Sequence, residues 1–401
     1  MGDNYSFLQE KIKDEAGSPK TVKKKVVRII ILGFIFGIVA CFTFIAFHPV
    51  VSGLLGHNKE EITIPEDEEE VSEEVQKSNQ DAEERAKEQQ QMRLLKELQN
   101  KAKANTSAII YLSGQRKIEK NTEIKKTSGV ILADNGSEIL VLSQTLSEKE
   151  LKNIRITFAD GKDYAAEVKM KDNNLGIVIC AVEKETLKKE TLKQMEIVTL
   201  GNSLLSESGD PIFMIGKSGE KATQISYGFV ASSEEKMEIA DGNVELLRVD
   251  VAGASFDNGV LFNQNGEMIG LVNKSLSDNK TLVTVLSISD IKNELECMLN
   301  GKGVPYTGVY GVTLPEELEK EGLMEGICVK EIATDSPAME AGIQQGDVIT
   351  ELNGTKILNM NEYREALLKS KVKNQLILRG YRKGADDNYV EMEFQLIVGK
   401  K

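Results

Sequence analysis

The sequence predicts a mainly β protein: a block of short strands in a sandwich or barrel, then a small α+β domain, all behind an N-terminal transmembrane helix. Three observations predict it. Between residues 107 and 286, short runs rich in Val, Ile and Leu alternate with turn signals such as Asn135-Gly136, Asp160-Gly161 and Ser208-Gly209-Asp210-Pro211, the punctuation of an all-β domain. From 304 to 401, strands at 327–332, 347–352, 374–379 and 389–398 enclose helical stretches at 336–341 and 361–369. Finally, Ile29–Phe47 carries no charge and is long enough, at about 1.5 Å per residue, to cross the hydrocarbon of a bilayer.

Charge and composition narrow the function. The chain has 401 residues, 40% of them hydrophobic, and a formal net charge of −13. That length suggests two or three domains, and that charge argues against a nucleic-acid partner, which needs a basic face. Only two histidines occur, His48 and His57, both beside the apolar run. Nothing after Asn58 can therefore supply an imidazole, which excludes His-based metal sites and His-dependent nucleophilic triads from the globular part. The cysteines, Cys41, Cys180, Cys297 and Cys328, are scattered without metal-ligand spacing and read as buried thiols. No metal and no cofactor is expected.

Taken in order, residues 1–28 form a polar tail ending in Lys20, Lys23, Lys24, Lys25 and Arg28. A basic flank followed by an apolar run also opens signal peptides, but this run is too long for their apolar region and no small-residue cleavage site follows. With acids beyond the span, the positive-inside rule places residues 1–28 in the cytoplasm and the globular part outside, in a single-pass cell-membrane protein. Residues 48–104 are an acidic linker and a helical stalk. The tract 60–74 is too charged to bury a core, whereas 83–104 is rich in helix formers with a short stripe of Leu94, Leu95, Leu98 and Ala102. The stripe lasts barely two heptads, and a solvated stalk is the reading preferred over a coiled coil. Residues 105–300 are the β block, closed by a helix at 289–299, and 304–401 the α+β domain.

The stretch 247–273 organises the β block. Its apolar runs 260–262 and 268–272 flank Asn263-Gln264-Asn265-Gly266, a hairpin signal because Asn-Gly accommodates positive φ. In the second domain, Ser336 is a helix N-cap with Gly342 just beyond the helix end.

These pieces resemble, in order, the HtrA (DegP-like) proteases, whose chymotrypsin-like double β-barrel precedes a PDZ domain. Ser128-Gly129-Val130-Ile131 is similar to that family's entry strand. The run Ile156 to Ala166 is similar to its strand–Asp-Gly–strand hairpin, as are Leu200-Gly201-Asn202-Ser203 and Gly209-Asp210-Pro211-Ile212 to the segment that follows. Gly266-Glu267-Met268-Ile269-Gly270 matches the hairpin after its nucleophile. In the last domain, Tyr306-Thr307-Gly308-Val309, Ser336-Pro337-Ala338, Ala341-Gly342-Ile343, Gly346-Asp347-Val348-Ile349 and Asn353-Gly354 resemble its PDZ signature.

Carried over residue by residue, the resemblance places Gln144 at the catalytic histidine, Leu175 at the aspartate and Asp257 at the serine. All three residue types are replaced. An amide has no useful basicity, Leu175 cannot orient a base, and a carboxylate at 257 would repel a developing oxyanion. Asp257 beside Asn258-Gly259 reads instead as a turn residue. Ser255 paired with Lys274 is the one alternative nucleophile, and neither matches a family position. The expectation is a catalytically degenerate scaffold, chaperone or regulator of envelope proteins. An active endopeptidase with a non-standard site, or one activated in trans, is the alternative.

The resemblance further implies that Tyr306, Thr307, Gly308 and Val309 receive a peptide's terminal carboxylate on backbone N–H groups. The peptide, a protein C-terminus or extended segment, would add a strand beside a wall formed by residues 361–369. Thr307 replaces a larger apolar residue of the family at the pocket floor. A groove closed by packing on the barrel is the competing reading. The resemblance also implies a homo-oligomer, a trimer.

Overall fold

The computed structural model describes residues 33, 35–39, 80–118, 121–146, 152–218, 222–251, 258–273, 282–315, 325–386 and 388–401. The chain divides into two compact units, Met1–Lys59 and Glu60–Lys401. In the first, Gly33 and residues 35–39 are helical and exposed. Among the described residues no helix is long and apolar enough to cross a membrane. The rest of Ile29–Phe47, and the acidic tract 60–74, lie outside the described residues.

In the second unit a long helix, α1 (Gln80–Asn105), leads into strands β1 (Ile109–Ile118), β2 (Asn121–Asp134), β3 (Glu138–Gln144), β4 (Lys152–Thr157), β5 (Asp163–Ala165), β6 (Glu167–Asp172) and β7 (Ile177–Glu183). They form one sheet in the order β5-β4-β1-β2-β3-β7-β6. Its two edges, β5 and β6, are consecutive and interrupted only at Ala166, whose N–H donates to Ile154 O at 3.0 Å. One bent strand thus pairs with β4 through its first half and β7 through its second, and so brings the sheet round on itself.

After a short helix α2 (Lys189–Gln194) come β8 (Pro211–Ser218), β9 (Ala222–Ile239), β10 (Gly242–Val251), β11 (Gly259–Asn263), β12 (Met268–Val272) and β13 (Val283–Ser287). These close a barrel in the order β10-β13-β12-β11-β8-β9. The expected hairpin is present between β11 and β12: Asn263 Oδ1 accepts from the N–H of Asn265 and of Glu267, both at 3.0 Å. Only the glycine of its Asn-Gly pair takes positive φ, 83° at Gly266.

The strand period of two explains why so many strands are apolar without a break. Along β1, β3 and β7, one set of side chains (Ile110, Leu112, Ile139, Val141, Val178, Cys180, Val182) fills the first barrel. The alternate set (Ile109, Leu140, Leu142, Ile177, Ile179) joins Phe213, Ile215, Val260, Phe262 and Leu271 of the second barrel in a shared core. The second barrel's own interior holds Ile212, Met214, Leu247, Leu261 and Ile269. Strands buried on both faces cannot show the apolar–polar alternation of a half-exposed sheet.

The helix α1 corrects one expectation. Its last turns are not solvated: Leu98 and Ala102 are buried in the shared core, with Leu94 packed against it. Asn105 Nδ2 ties the helix end to Gly266 O at 3.1 Å. The short apolar stripe is too brief for a coiled-coil seam because it serves as a lid on the barrels. Leu95 alone of that stripe stays exposed.

Helix α3 (Lys292–Leu299) adds Leu295, Met298 and Leu299 to the shared core and leads to the last domain. There β14 (Pro305–Tyr306) is followed by β15 (Val309–Thr313), β16 (Ile327–Ile332), α4 (Pro337–Glu340), β17 (Val348–Leu352), β18 (Thr355–Lys356), α5 (Met360–Leu368), β19 (Gln375–Lys383), β20 (Tyr389–Ile397) and β21 (Gly399–Lys400). The sheet runs β15-β16-β17-β19-β20, with β18 on β17 and a separate β14–β21 pair. Ser336 caps α4 as expected, its Oγ accepting from Met339 N–H at 3.2 Å. The domain has its own core, including Val309, Val329, Met360, Tyr363, Leu367 and Leu378. Cys180, Cys297 and Cys328 are free thiols.

Phe213 and Phe262, paired across β8 and β11, stack with ring centroids 5.0 Å apart and planes 9° from parallel, both fully buried between the barrels. Truncating Phe262→Ala removes that contact and leaves a cavity, so urea unfolding should show a loss of about 3–5 kcal/mol. Val390→Ala, at a half-exposed position, should stay within about 0.5 kcal/mol of the parent.

Candidate functional site

The fold brings together Gln144 and Leu175, the positions that the family resemblance sets at the catalytic histidine and aspartate, with the edge of the segment that carries the third position. Gln144 ends β3, paired with Ile177 of β7, and the next residue, Thr145, donates its N–H to Gly176 O at 2.8 Å. Leu175 and Gly176 therefore lie against the Gln144 segment. The turn before them is made by Asp172, whose Oδ1 accepts from the N–H groups of Asn174 at 2.7 Å and Leu175 at 3.0 Å. The start of β11 joins through Asn258, whose Oδ1 accepts from Ser128 N–H at 2.7 Å. Ser143, the neighbour of Gln144, donates its hydroxyl to Ser128 O at 2.9 Å. Asp257 itself, with Ala254, Ser255, Phe256 and Lys274, lies outside the described residues.

Among the described residues of this junction, Gln144 offers an amide and Leu175 an alkyl group. Leu175 is 1% exposed and belongs to the core shared by the barrels. Gln144 Nε2, Thr145 Oγ1 and Ser128 Oγ are buried and have no hydrogen-bond partner among the described residues. None of these groups is a base near neutral pH.

The Tyr306–Val309 segment presents a better-defined site. Its carbonyls are engaged on one side: Ala338 N–H donates to Thr307 O at 2.9 Å and Ala333 N–H to Gly308 O at 2.8 Å. Its N–H groups consequently point the other way and converge. Gly308 takes φ +88°, and a Cβ there would stand 2.4 Å from Ser336 Cβ, so only glycine makes this turn without displacing the α4 cap. A concave set of backbone N–H groups of this kind recognises a carboxylate.

A carboxylate is in place there, and it comes from the chain itself. Asp241, in the two-residue turn between β9 and β10, accepts from Thr307 N–H at 2.8 Å, from Gly308 N–H at 3.0 and 3.1 Å, and from Val309 N–H at 3.0 Å. Thr307 Oγ1 adds a short hydrogen bond to the same carboxylate. Since that hydroxyl spends its one proton on Asp241, Tyr363 OH, 2.7 Å from Thr307 Oγ1, is the donor in the next link. The Tyr363 phenol is pushed well above its ordinary pKa by burial and by the charge of Asp241, with the Thr307 bond opposing, which keeps the donated proton in place. Asp241 also returns a bond, its own N–H donating to Val309 O at 2.7 Å. It holds φ +67°, a left-handed conformation that aspartate tolerates better than most residues. Charge-assisted bonds of this type are each worth roughly 1.5–3 kcal/mol, and together they offset the desolvation of a residue only 1% exposed.

A second polar cluster bolts the domains together nearby. Arg364 of α5 reaches Glu294 of α3 at 2.5 Å and Asn243 O at 3.3 Å, while Lys401 Nζ lies 3.0 Å from Glu294 and 3.7 Å from Asp172 Oδ2. Lys330 of β16 pairs with Glu238 of β9 at 2.6 Å. Burial, followed by the hydrogen bond and charge of Glu294, pushes the Asp172 carboxyl up to about 7, against the pull of Lys401. Glu294 moves the other way: its burial is outweighed by Lys401, the Asp172 hydrogen bond and Arg364. Asp172 Oδ2 receives no hydrogen bond from a donor among the described residues, so a proton held there and donated to Glu294 satisfies it.

Gln144, Leu175 and the Tyr306–Val309 loop stand out in the sequence through the family resemblance, whereas Asp241, Asp172, Glu294, Arg364 and Lys401 do not. Asp241-Gly242 is an Asp-Gly turn signal after the alternating stretch Met237-Glu238-Ile239, a mark that points to a hairpin tip there. The others are ordinary charged residues until the domains are folded together.

Comparison with known proteins accords with this geometry. A trypsin-like peptidase domain model matches residues 127–271, and a PDZ domain model matches residues 328–379. The putative serine protease HhoB of Synechocystis is 24% identical over 269 residues, covering 63% of this chain and 62% of that protein. The serine protease Do-like HtrB of Bacillus subtilis is 24% identical over 279 residues, 64% of this chain and 59% of that protein. The chain belongs to the HtrA family. Its match spans only about three-fifths of the length of those HtrA relatives. Among solved structures, the HtrA-type protease AlgW with a decapeptide superposes with a TM-score of 0.55 at 16% identity, covering 76% of this chain and 98% of that one. A likeness at that identity speaks for the HtrA fold alone. The PDZ model begins after residue 309, so the role of the carboxylate-binding loop rests on its geometry.

The cluster around Asp172 carries a pH signature. A carboxyl raised to about 7 when folded, against about 3.9 when unfolded, binds more protons in the native state across that window. Its contribution is full below about pH 4 and is lost as pH rises toward 7. Asp172→Asn keeps an N–H donor toward Glu294 and has no proton to lose. In urea unfolding at pH 5 and pH 8, the variant should gain stability relative to the parent at pH 8; equal differences at both pH values would contradict this.

Proposed function

We propose that this HtrA-family protein is a membrane-anchored pseudoprotease that binds extended or C-terminal peptide segments through its PDZ domain, as a scaffold, chaperone or regulator of envelope proteins. The observation that carries the reading is the convergence of the Thr307, Gly308 and Val309 N–H groups on one carboxylate. The loop takes a carboxylate without any charged side chain, which is how a peptide terminus is held. The solved relative AlgW is described with a decapeptide, and a peptide ligand is proposed here by analogy.

Loss of peptidase activity is supported by Gln144 and Leu175 in place of a base and its orienting acid. It is further supported by the absence of any histidine beyond His57 in the sequence. No shift of alignment around Asp257 can supply the missing imidazole. Anchoring is supported by the uncharged run Ile29–Phe47 behind five basic residues, which favours a cytoplasmic N-terminus and extracytoplasmic domains. Assembly into a trimer is carried over from the family resemblance alone.

The full chain, incubated with unfolded casein, should leave it intact, and a fluorophosphonate probe should not label it. Casein cleavage that is abolished by Ser255→Ala would overturn this reading in favour of an endopeptidase with a non-standard site.

A further inference from the structure

The hairpin β9–β10 does more than touch the PDZ domain. In a bound peptide, the last residue offers a carboxylate to the loop N–H groups and donates its own N–H to the first strand beyond the loop. Asp241 supplies both halves of that pattern: its Oδ1 and Oδ2 accept from Thr307, Gly308 and Val309, and its N–H donates to Val309 O. Its side chain stands in for the terminal carboxylate, so a residue in mid-chain meets a site shaped for a chain end. The tip is held on both flanks. Glu238 pairs with Lys330 on one side. On the other, the Arg364 side chain lies against Gly242, where a Cβ would stand 2.8 Å from its Cδ, and Arg364 Nη1 reaches Asn243 O at 3.3 Å. Thr307 and Tyr363 extend a relay of hydroxyl donors behind the carboxylate. A larger apolar residue at 307 would supply no such donor.

We infer that Asp241 is an internal ligand of the PDZ carboxylate site, seated there by the β9–β10 turn, so that an incoming peptide with a free C-terminus must displace the barrel hairpin to bind. The inference rests on the peptide-binding reading above for its competitor, and on the Asp241 geometry for its occupant. Displacement links the two domains: the turn that leaves the loop belongs to strands that run through the second barrel, β9 pairing with β8 and β10 with β13. An occupied site lowers the apparent affinity of any competitor by the fraction of molecules in which it is free, and a tethered occupant acts at high effective concentration.

The test uses the full chain and Asp241→Gly, which removes the carboxylate while suiting the left-handed backbone. Two probes are needed: a fluorescent pool of random decapeptides with free C-terminal carboxylates, and the same pool amidated. Amide hydrogen exchange at Thr307, Gly308 and Val309 is followed in parallel. In the variant, exchange at these three amides should speed at least about tenfold. The free-carboxylate pool should bind at least about tenfold more tightly than to the parent, and the amidated pool should not gain. Equal affinity of the pool for parent and variant overturns the inference and leaves peptide binding intact. Unchanged exchange at the three amides also overturns it. Faster exchange with no binding of either pool keeps Asp241 as the occupant and removes the peptide-binding reading instead. Should Asp241→Gly fail to fold by circular dichroism, Asp241→Asn, which tolerates the same backbone but lacks the charge, is read by the same criteria.

Discussion

A carboxylate withdrawn from water must find donors or a counter-charge, and that constraint decides how the last domain of this protein sits on its barrels. Asp241 and Glu294 are both buried, one at a hairpin tip and one on the helix that leads out of the second barrel. The donors that satisfy them come from across the junction: backbone N–H groups of residues 307–309 for the first, Arg364 and Lys401 for the second. Removing one partner from such an arrangement costs about 3–5 kcal/mol in comparable cases, so the two clusters act as pins rather than decoration. A purely apolar junction would bury the same area without specifying a register. Asp172 brings a second carboxyl group to the Glu294 pin, where burial and the neighbouring charge favour its protonated form.

The barrels hold together on a different principle. Their strands are buried on both faces, one set of side chains filling each barrel and the other set meeting between them. Among the described residues, Leu140, Leu142, Ile177 and Ile179 flank Gln144 and Leu175 with apolar packing. Leu175 in fact belongs to the core. An apolar residue at that position is therefore compatible with the fold and contributes to it, which is why likeness to HtrA proteases over the barrels carries no information about activity. What the junction retains is framework: the Thr145–Gly176 and Ser128–Asn258 bonds that hold the three segments together.

Much of this was legible in the order of residues. Short strands between turn signals, the Asn263–Gly266 hairpin and the Ser336 cap are all local features, governed by φ preferences and side-chain alternation over a few residues, whereas the Tyr306–Val309 loop was legible only through its likeness to the family signature. The same local logic misjudged α1. A stripe of Leu94, Leu98 and Ala102 specifies a face that needs cover, and sequence cannot say whether the cover is water, another helix or two barrels. The bent strand at Ala166, which lets the first sheet close, was also invisible, because it follows from pairing β4 and β7 to the two halves of one segment.

The sequence by itself determined the mainly β class, and likeness to the family's PDZ signature marked the Tyr306–Val309 loop. It also determined the absence of any imidazole beyond residue 57; composition and strand patterning suffice for the class and for that absence. Tertiary structure alone decided what occupies that loop. Asp241 lies more than sixty residues before Thr307, and nothing in a single strand or turn records that its carboxylate will meet those N–H groups. Long-range pairing of a buried charge with its donors is a property of the packed domains, and it exists only once they are in place.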